Sequence, residues 1–223
     1  MKPLVAIVAK DIAIEWRKKE SFSSMLLFGV LVVVTSSFAF AAVTDDVTRN
    51  LVAAGILWIA FSFAGILGLN RSLSIETDND CLQGLLLAPL TRGDLYLGKV
   101  ASNLAFTLTA EIFILPVFLV VNNLAFDIKA VWILGLTILG TLAFVSIGTT
   151  LSMISAHTSM KEVMLPILQI PMTLPVIIVA VEATSKVLRE DTGDMAFPLS
   201  LLGVFSTVYV TASYFVFEYI VEE

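Results

Sequence analysis

Charge is scarce in this chain: Asp, Glu, Lys and Arg together make up 14% of its 223 residues. Soluble domains carry about 25%, so a soluble globular enzyme is a poor fit. A hydrophobic share of 58% is equally unlike a disordered chain. Basic residues are outnumbered, 13 Lys and Arg against 19 Asp and Glu, for a net charge of −6. A nucleic-acid partner needs the opposite balance, because basic patches make the phosphate contacts. Cysteine occurs once, as Cys81, which leaves no internal disulfide and no cysteine cluster for a metal. No internal repeat or low-complexity linker stands out.

What the chain has instead is uninterrupted apolar sequence, with a mean hydropathy of +0.95. No charged residue falls in Ser21–Thr44, Asn50–Asn70, Ala130–Met160, Val163–Val181 or Met195–Phe217, and Val100–Asn123 is broken only by Glu111. Each run reaches the ~20 residues a helix needs to cross a ~30 Å hydrocarbon core. Transmembrane β-strands would alternate in ~10-residue segments; these runs are continuous. The sequence therefore predicts an all-α integral membrane protein, one transmembrane domain over 1–223 with six spans near 22–43, 51–69, 101–121, 131–154, 163–183 and 197–218.

Orientation follows the basic residues. With six spans, the N-terminus, Arg71–Lys99, the Lys161 loop and the C-terminus share one side. That side holds nine of the 13 basic residues, and Arg49, Lys129, Lys186 and Arg189 lie opposite. Both termini are expected in the cytoplasm. Residues 1–20 are too charged for a cleaved signal peptide. They predict an interfacial helix with Leu4, Val8, Ile12 and Trp16 at steps of four, and Arg17-Lys18-Lys19 toward anionic headgroups. Asp11 and Glu15 intrude beside that stripe. The simpler alternative is a basic leader that only sets topology.

Between the second and third spans the chain is polar from Arg71 to Asp80, then apolar from Cys81 to Pro89. Leu82, Leu85 and Leu86 sit at helical spacing and Pro89 ends the helix. A short cytoplasmic helix with a leucine face, held by two spans, can lodge in a partner's groove and pass motion into the membrane. It can equally fold back on the bundle. Gly93-Asp-Leu-Tyr-Leu-Gly98-Lys99 matches the start of a phosphate-binding loop, but Val100 stands where a Ser or Thr hydroxyl would reach Mg²⁺, and no strand precedes it. ATP chemistry is expected on a separate subunit.

These residues carry a resemblance. Glu76 and Asp80-Cys81-Leu82-Gln83-Gly84-Leu85-Leu86-Leu87-Ala88-Pro89 resemble the Glu-x-x-x-Gly-Thr-Leu-Glu-x-Leu-Leu-x-x-Pro signature of type-2 ABC exporter permeases, with Asp80, Cys81 and Gln83 as departures. The chain is more similar to one branch, the haem exporter protein B (CcmB) family of cytochrome c maturation. The similarity lies in Lys10-Asp11, Arg17-Lys18-Lys19-Glu20, Ile56–Phe61, Phe63–Arg71, Cys81–Pro89 and Leu97-Gly98-Lys99, and it covers essentially the whole chain.

The resemblance implies a permease subunit in a bacterial inner membrane, with no nucleotide site or resident cofactor of its own. Implied partners are an ABC ATPase subunit carrying ATP, a haem-handling membrane protein, a small single-span subunit, a periplasmic haem chaperone and a second copy of the chain; haem is the implied cargo. Glu76, Asp80, Cys81, Leu82, Leu85, Leu86 and Pro89 would form the ATPase-docking coupling helix. A type-2 exporter of a drug, lipid or polysaccharide is the alternative, and a proton-coupled transporter using Glu111 is a second.

Inside the spans, Glu111 is the conspicuous group, because a mid-bilayer carboxylate is expensive and faces the bundle or a partner. It is either a gate or a packing residue hydrogen-bonded to Asn103 or Gln169. Pro116 removes the amide that would bond the Ile112 carbonyl, and a bend is expected there. Pro166, Pro171 and Pro175 crowd the fifth span around Gln169 and predict either a broken, mobile helix or static kinks. The gating candidates are thus Glu111, Asn103, Gln169 and Pro171. His157, the single histidine, lies at the cytoplasmic end of the fourth span and reads as a solvated or capping residue rather than a haem ligand. Ala60, Ala64 and Gly68 form a ridge for close helix packing.

Overall fold

The structure is a computed structural model that describes residues 3–18, 20–43, 45–78, 91–124, 128–156, 161–191, 193 and 195–220. The described residues form seven helices: α1 (Pro3–Lys18), α2 (Glu20–Ala39), α3 (Asp46–Asp78), α4 (Arg92–Val121), α5 (Ile128–Ala156), α6 (Lys161–Leu188) and α7 (Ala196–Ile220). No strand occurs among them. Six of the helices, α2 to α7, are long and apolar enough to cross a membrane. The chain is an all-α membrane protein. The coupling helix and His157 of the sequence reading lie outside the described residues.

The helices outrun the charge-free runs at several ends, because a charge at a membrane interface does not stop a helix. α4 begins at Arg92, where the Thr91 hydroxyl accepts from the Asp94 amide at 3.1 Å and donates to the Asp94 carboxylate at 2.7 Å. That Ser/Thr-plus-acid pairing satisfies orphan amides of the first turn. α2 instead stops at Ala39, and Phe40–Val43 form tight turns. α4 closes with Asn123 at φ 54°, the left-handed residue that lets the Leu124 amide reach back to the Leu119 carbonyl at 2.8 Å.

α3 is the most buried of the six long helices. It contacts α2, α4, α5 and α6, while α5 packs mainly on α6 and α7. The expected small-residue ridge faces inward: Ala60 and Ala64 are fully buried, and Gly68 leaves room for Met25 of α2, which a β-carbon would meet at 2.9 Å. One apolar core joins Leu57 and Phe61 of α3 to Ile114 and Phe118 of α4 and Val176 and Ala180 of α6. A second, at the opposite end of the bundle, joins Ile7 of α1 to Tyr96, Leu151, Leu165 and Phe217. α1 packs chiefly on α4. Ile7 is buried there, whereas Val5 and Ile12 stay exposed.

α6 runs unbroken through Pro166, Pro171 and Pro175. A neighbouring helix supplies a donor between the last two: the Tyr209 hydroxyl of α7 donates to the Met172 carbonyl at 2.7 Å. The carbonyls that Pro171 and Pro175 leave without an amide donor are those of Ile167 and Pro171, so the Tyr209 bond lies next to them rather than on them.

Candidate functional site

The foot of α4 carries the densest polar chemistry. Lys99 is 5% exposed, and its Nζ lies 2.9 Å from Oδ2 of Asp11 on α1. The Ser102 hydroxyl lies 3.2 Å from the same oxygen, and Lys10 approaches Oδ1 at 3.0 Å. Gly98 makes the approach of the two helices achievable, since a β-carbon there would press on Ile7 at 3.0 Å. On the other flank, Gly93 lets the Tyr214 ring of α7 lie against the helix, and Tyr96 stacks edge-on with Tyr214 at 6.1 Å and tilted on Phe217 at 5.3 Å. Gly93–Lys99, the phosphate-loop lookalike, is therefore helix throughout, with its lysine committed to Asp11.

Four α4 residues, Lys99, Asn103, Thr107 and Glu111, recur every fourth position and share one face. Lys99, Thr107 and Glu111 are buried. α5 answers in antiparallel register. The Asn103 amide donates to the Thr149 hydroxyl at 3.1 Å. Eight residues further along α4, the Thr141 hydroxyl donates to the Glu111 carboxyl, 2.8 Å from Oε2 and 3.0 Å from Oε1. Eight residues on each helix span about 12 Å of rise, so the two pairs belong to a single register. The result is a polar seam from the α1 contact to the middle of the bundle.

A cavity of about 10 Å³, the space of one water molecule, lies beside Glu111 and Thr141 and is lined by Trp58, Phe61, Gly140 and Val176. Trp58 fixes that wall by donating from Nε1 to the Thr184 hydroxyl at 2.9 Å, tying α3 to α6. The Trp58 ring also lies against Gly140, where no side chain intervenes.

Neither partner expected for Glu111 is the one it has. Asn103 sits two turns away on the same helix, and Gln169 is on α6, fully buried, with Nε2 3.4 Å from the Phe144 carbonyl. Gln169 fits because Gly148 opposite it lacks a side chain, and its Oε1 has no hydrogen-bond donor among the described residues. Pro171 lies on the exposed face of α6 and joins neither pair. Glu76 is in the last turns of α3, and Asp80, Cys81, Leu82, Leu85, Leu86 and Pro89 fall outside the described residues.

Sequence reading missed Thr141, Thr149 and the Asp11–Lys99 pair. The signal was present in the four-residue spacing on α4 and in an aspartate interrupting the apolar stripe of α1.

Asp45 immediately precedes α3, at the end of the bundle away from α1. Hydrogen bonds from the Thr48 hydroxyl, 2.6 Å, and the Thr48 amide, 2.8 Å, hold the Asp45 carboxyl below its ordinary value. This acid caps α3.

The chain is similar to known proteins along its length. A protein from Rhodobacter capsulatus named Heme exporter protein B is 24% identical over 181 residues, covering 81% of this chain and 82% of that protein. A second Heme exporter protein B, from Bradyrhizobium diazoefficiens, is 28% identical over 214 residues, covering 93% and 92%. The family model described as CcmB protein matches residues 2–222. The chain belongs to the CcmB protein family.

Proposed function

We propose that this chain is the membrane permease subunit of an ABC-type complex that handles haem during cytochrome c biogenesis. The observation that carries the reading is the near-complete coverage of two relatives that both bear the name Heme exporter protein B. The chain is a transporter subunit, not an enzyme, and ATP hydrolysis belongs to a partner ATPase. Both termini face the cytoplasm of a bacterial cell, with the protein in the inner membrane. A haem-handling membrane protein, a small single-span subunit, a periplasmic haem chaperone and a second copy of the chain complete the assembly.

In this mechanism, the segment from Glu76 to Pro89 docks on the ATPase through Leu82, Leu85 and Leu86. It joins α3 to α4, so movement of the docked segment pulls on both. The buried Asp11–Lys99 pair couples α1 to the foot of α4, and these two helices travel together. Displacement of α4 then works on the α4–α5 seam at Asn103 and Glu111, with Gln169 and Pro171 of α6 on the adjoining helix. The outcome is haem transfer, or release of the haem-loaded chaperone.

The decisive measurement is affinity purification of the tagged chain from its own membranes. An ABC ATPase is expected to co-purify, and Leu85→Glu with Leu86→Glu is expected to abolish that association while leaving the chain in the membrane. Retention of the ATPase by the double variant refutes the docking assignment. Deletion of the gene is expected to remove covalently haem-stained c-type cytochromes. Intact cytochromes would favour another exported cargo, and proton flux through the reconstituted chain alone would favour a carrier built on Glu111.

A further inference from the structure

At the end of the bundle away from α1, the C-terminal end of α2, the first turns of α3 and the end of α4 line an open cavity of about 220 Å³. Phe40, Val43, Val52 and Ile56 give it apolar walls, while Arg49 and Asn122 bring polar groups. The Asn122 amide donates to the Ser37 hydroxyl at 3.2 Å and the Phe118 carbonyl at 2.9 Å. Its two N–H groups are thus engaged in fixing the wall. Among the described residues that line the cavity, Arg49 is the cation.

Among the described residues, Asp45 and Asp46 are the acids beside that cation in sequence, and neither lines the cavity. Asp45 is turned onto Thr48 as the cap of α3. Asp46 reaches Arg49 only at 4.0 Å, with 88% of its side chain exposed. An ion pair so solvated holds its partner weakly. The guanidinium retains a planar fork of donors that matches a carboxylate or phosphate.

Size and position then select the ligand. Pockets that swallow a whole drug-sized molecule run from about 300 to 1,000 Å³, so this one accommodates a headgroup and leaves a larger body outside. It opens where α2 and α4 end and α3 begins, three helices long and apolar enough to cross a membrane, and the ends of such helices are where headgroups meet a bundle.

We propose that this pocket binds the acidic headgroup of an amphiphile, a phosphodiester or a carboxylate held by Arg49, while the apolar body stays in the bilayer. A membrane lipid supplies the first chemistry. The propionate edge of a haem supplies the second, and only that source rests on the function proposed above.

The test uses the full-length protein with Arg49→Gln and Arg49→Lys variants. More than half of the Arg49 side chain is exposed, so neither variant is expected to disturb the fold, which circular dichroism and thermal unfolding check directly. In nanodiscs of mixed phosphatidylglycerol and phosphatidylcholine, native mass spectrometry reads the lipid that survives release of the protein. Haem titration followed by absorbance reads the carboxylate source. Wild-type protein is expected to retain phosphatidylglycerol, or to bind haem, about tenfold better than Arg49→Gln, the loss of one charge-assisted contact. Arg49→Lys is expected to fall between them, since lysine keeps the charge without the fork. Loss of lipid alone identifies a phosphodiester site and leaves the haem function untouched. Loss of haem alone identifies a carboxylate site. If Arg49→Gln matches wild type in both assays, the site does not exist.

Discussion

Asp11 and Lys99 form the contact on which a single substitution should cost most. Both side chains are largely removed from water, 15% and 6% exposed, and they meet at 2.9 Å. Removing one partner of a buried pair takes from the other its nearest counter-charge away from water, a penalty of up to about 3–5 kcal/mol. Asp11→Asn should therefore lower the thermal midpoint of the detergent-solubilised protein sharply. Adding Lys99→Met should recover part of that loss, because the buried charge disappears with it. Equal midpoints for wild type and Asp11→Asn would show that water compensates Lys99. Asp45 poses a smaller question with a defined sign. Its carboxyl is held below its ordinary value by Thr48, so the cap is fully formed above the unfolded-state value and is lost as pH falls through the lower folded one. Amide exchange at Thr48 and Arg49, corrected for intrinsic rates, should accelerate only in that acid window.

At the scale of elements, the question is what fixes α4 against α5. Apolar side chains slide past one another in lipid at little cost, whereas hydrogen-bonding side chains are satisfied in one register. Asn103 with Thr149 and Glu111 with Thr141 define that register twice. A Cys81→Ser background carrying Asn103→Cys and Thr149→Cys should cross-link with a short bis-thiol reagent. Asn103→Cys with Val145→Cys, shifted by one turn, should not. Reversed yields would mean that the helices pair differently in the membrane. The prolines of α6 add a second observation: the helix stays continuous through all three, and Tyr209 of α7 bonds its backbone at Met172 between two of them.

At the scale of the whole molecule, the bundle is asymmetric. α3 is central and α1 lies against the foot of α4, on the end where α3 stops and α4 begins. The Arg49 pocket sits at the other end. The sequence by itself determined the membrane class and the number of long apolar helices. A bilayer imposes a length and an apolarity that can be counted along the chain. It also determined the family, since Cys81–Pro89 and Phe63–Arg71 carry a recognisable order of residues and the match extends over 2–222. Glu111 was legible as an unusual group because carboxylates are rare at that depth. Its partner was not. Thr141 is one of several threonines in a span that is apolar all round, and nothing local marks which one faces α4. Only the tertiary structure decided that Thr141 donates to Glu111, that Lys99 is paired with Asp11 rather than lying free at the interface, and that Arg49 lines a cavity. Each of these depends on the rotation and register of helices that are distant in sequence, and those are set by packing between whole helices rather than by the local composition of any one.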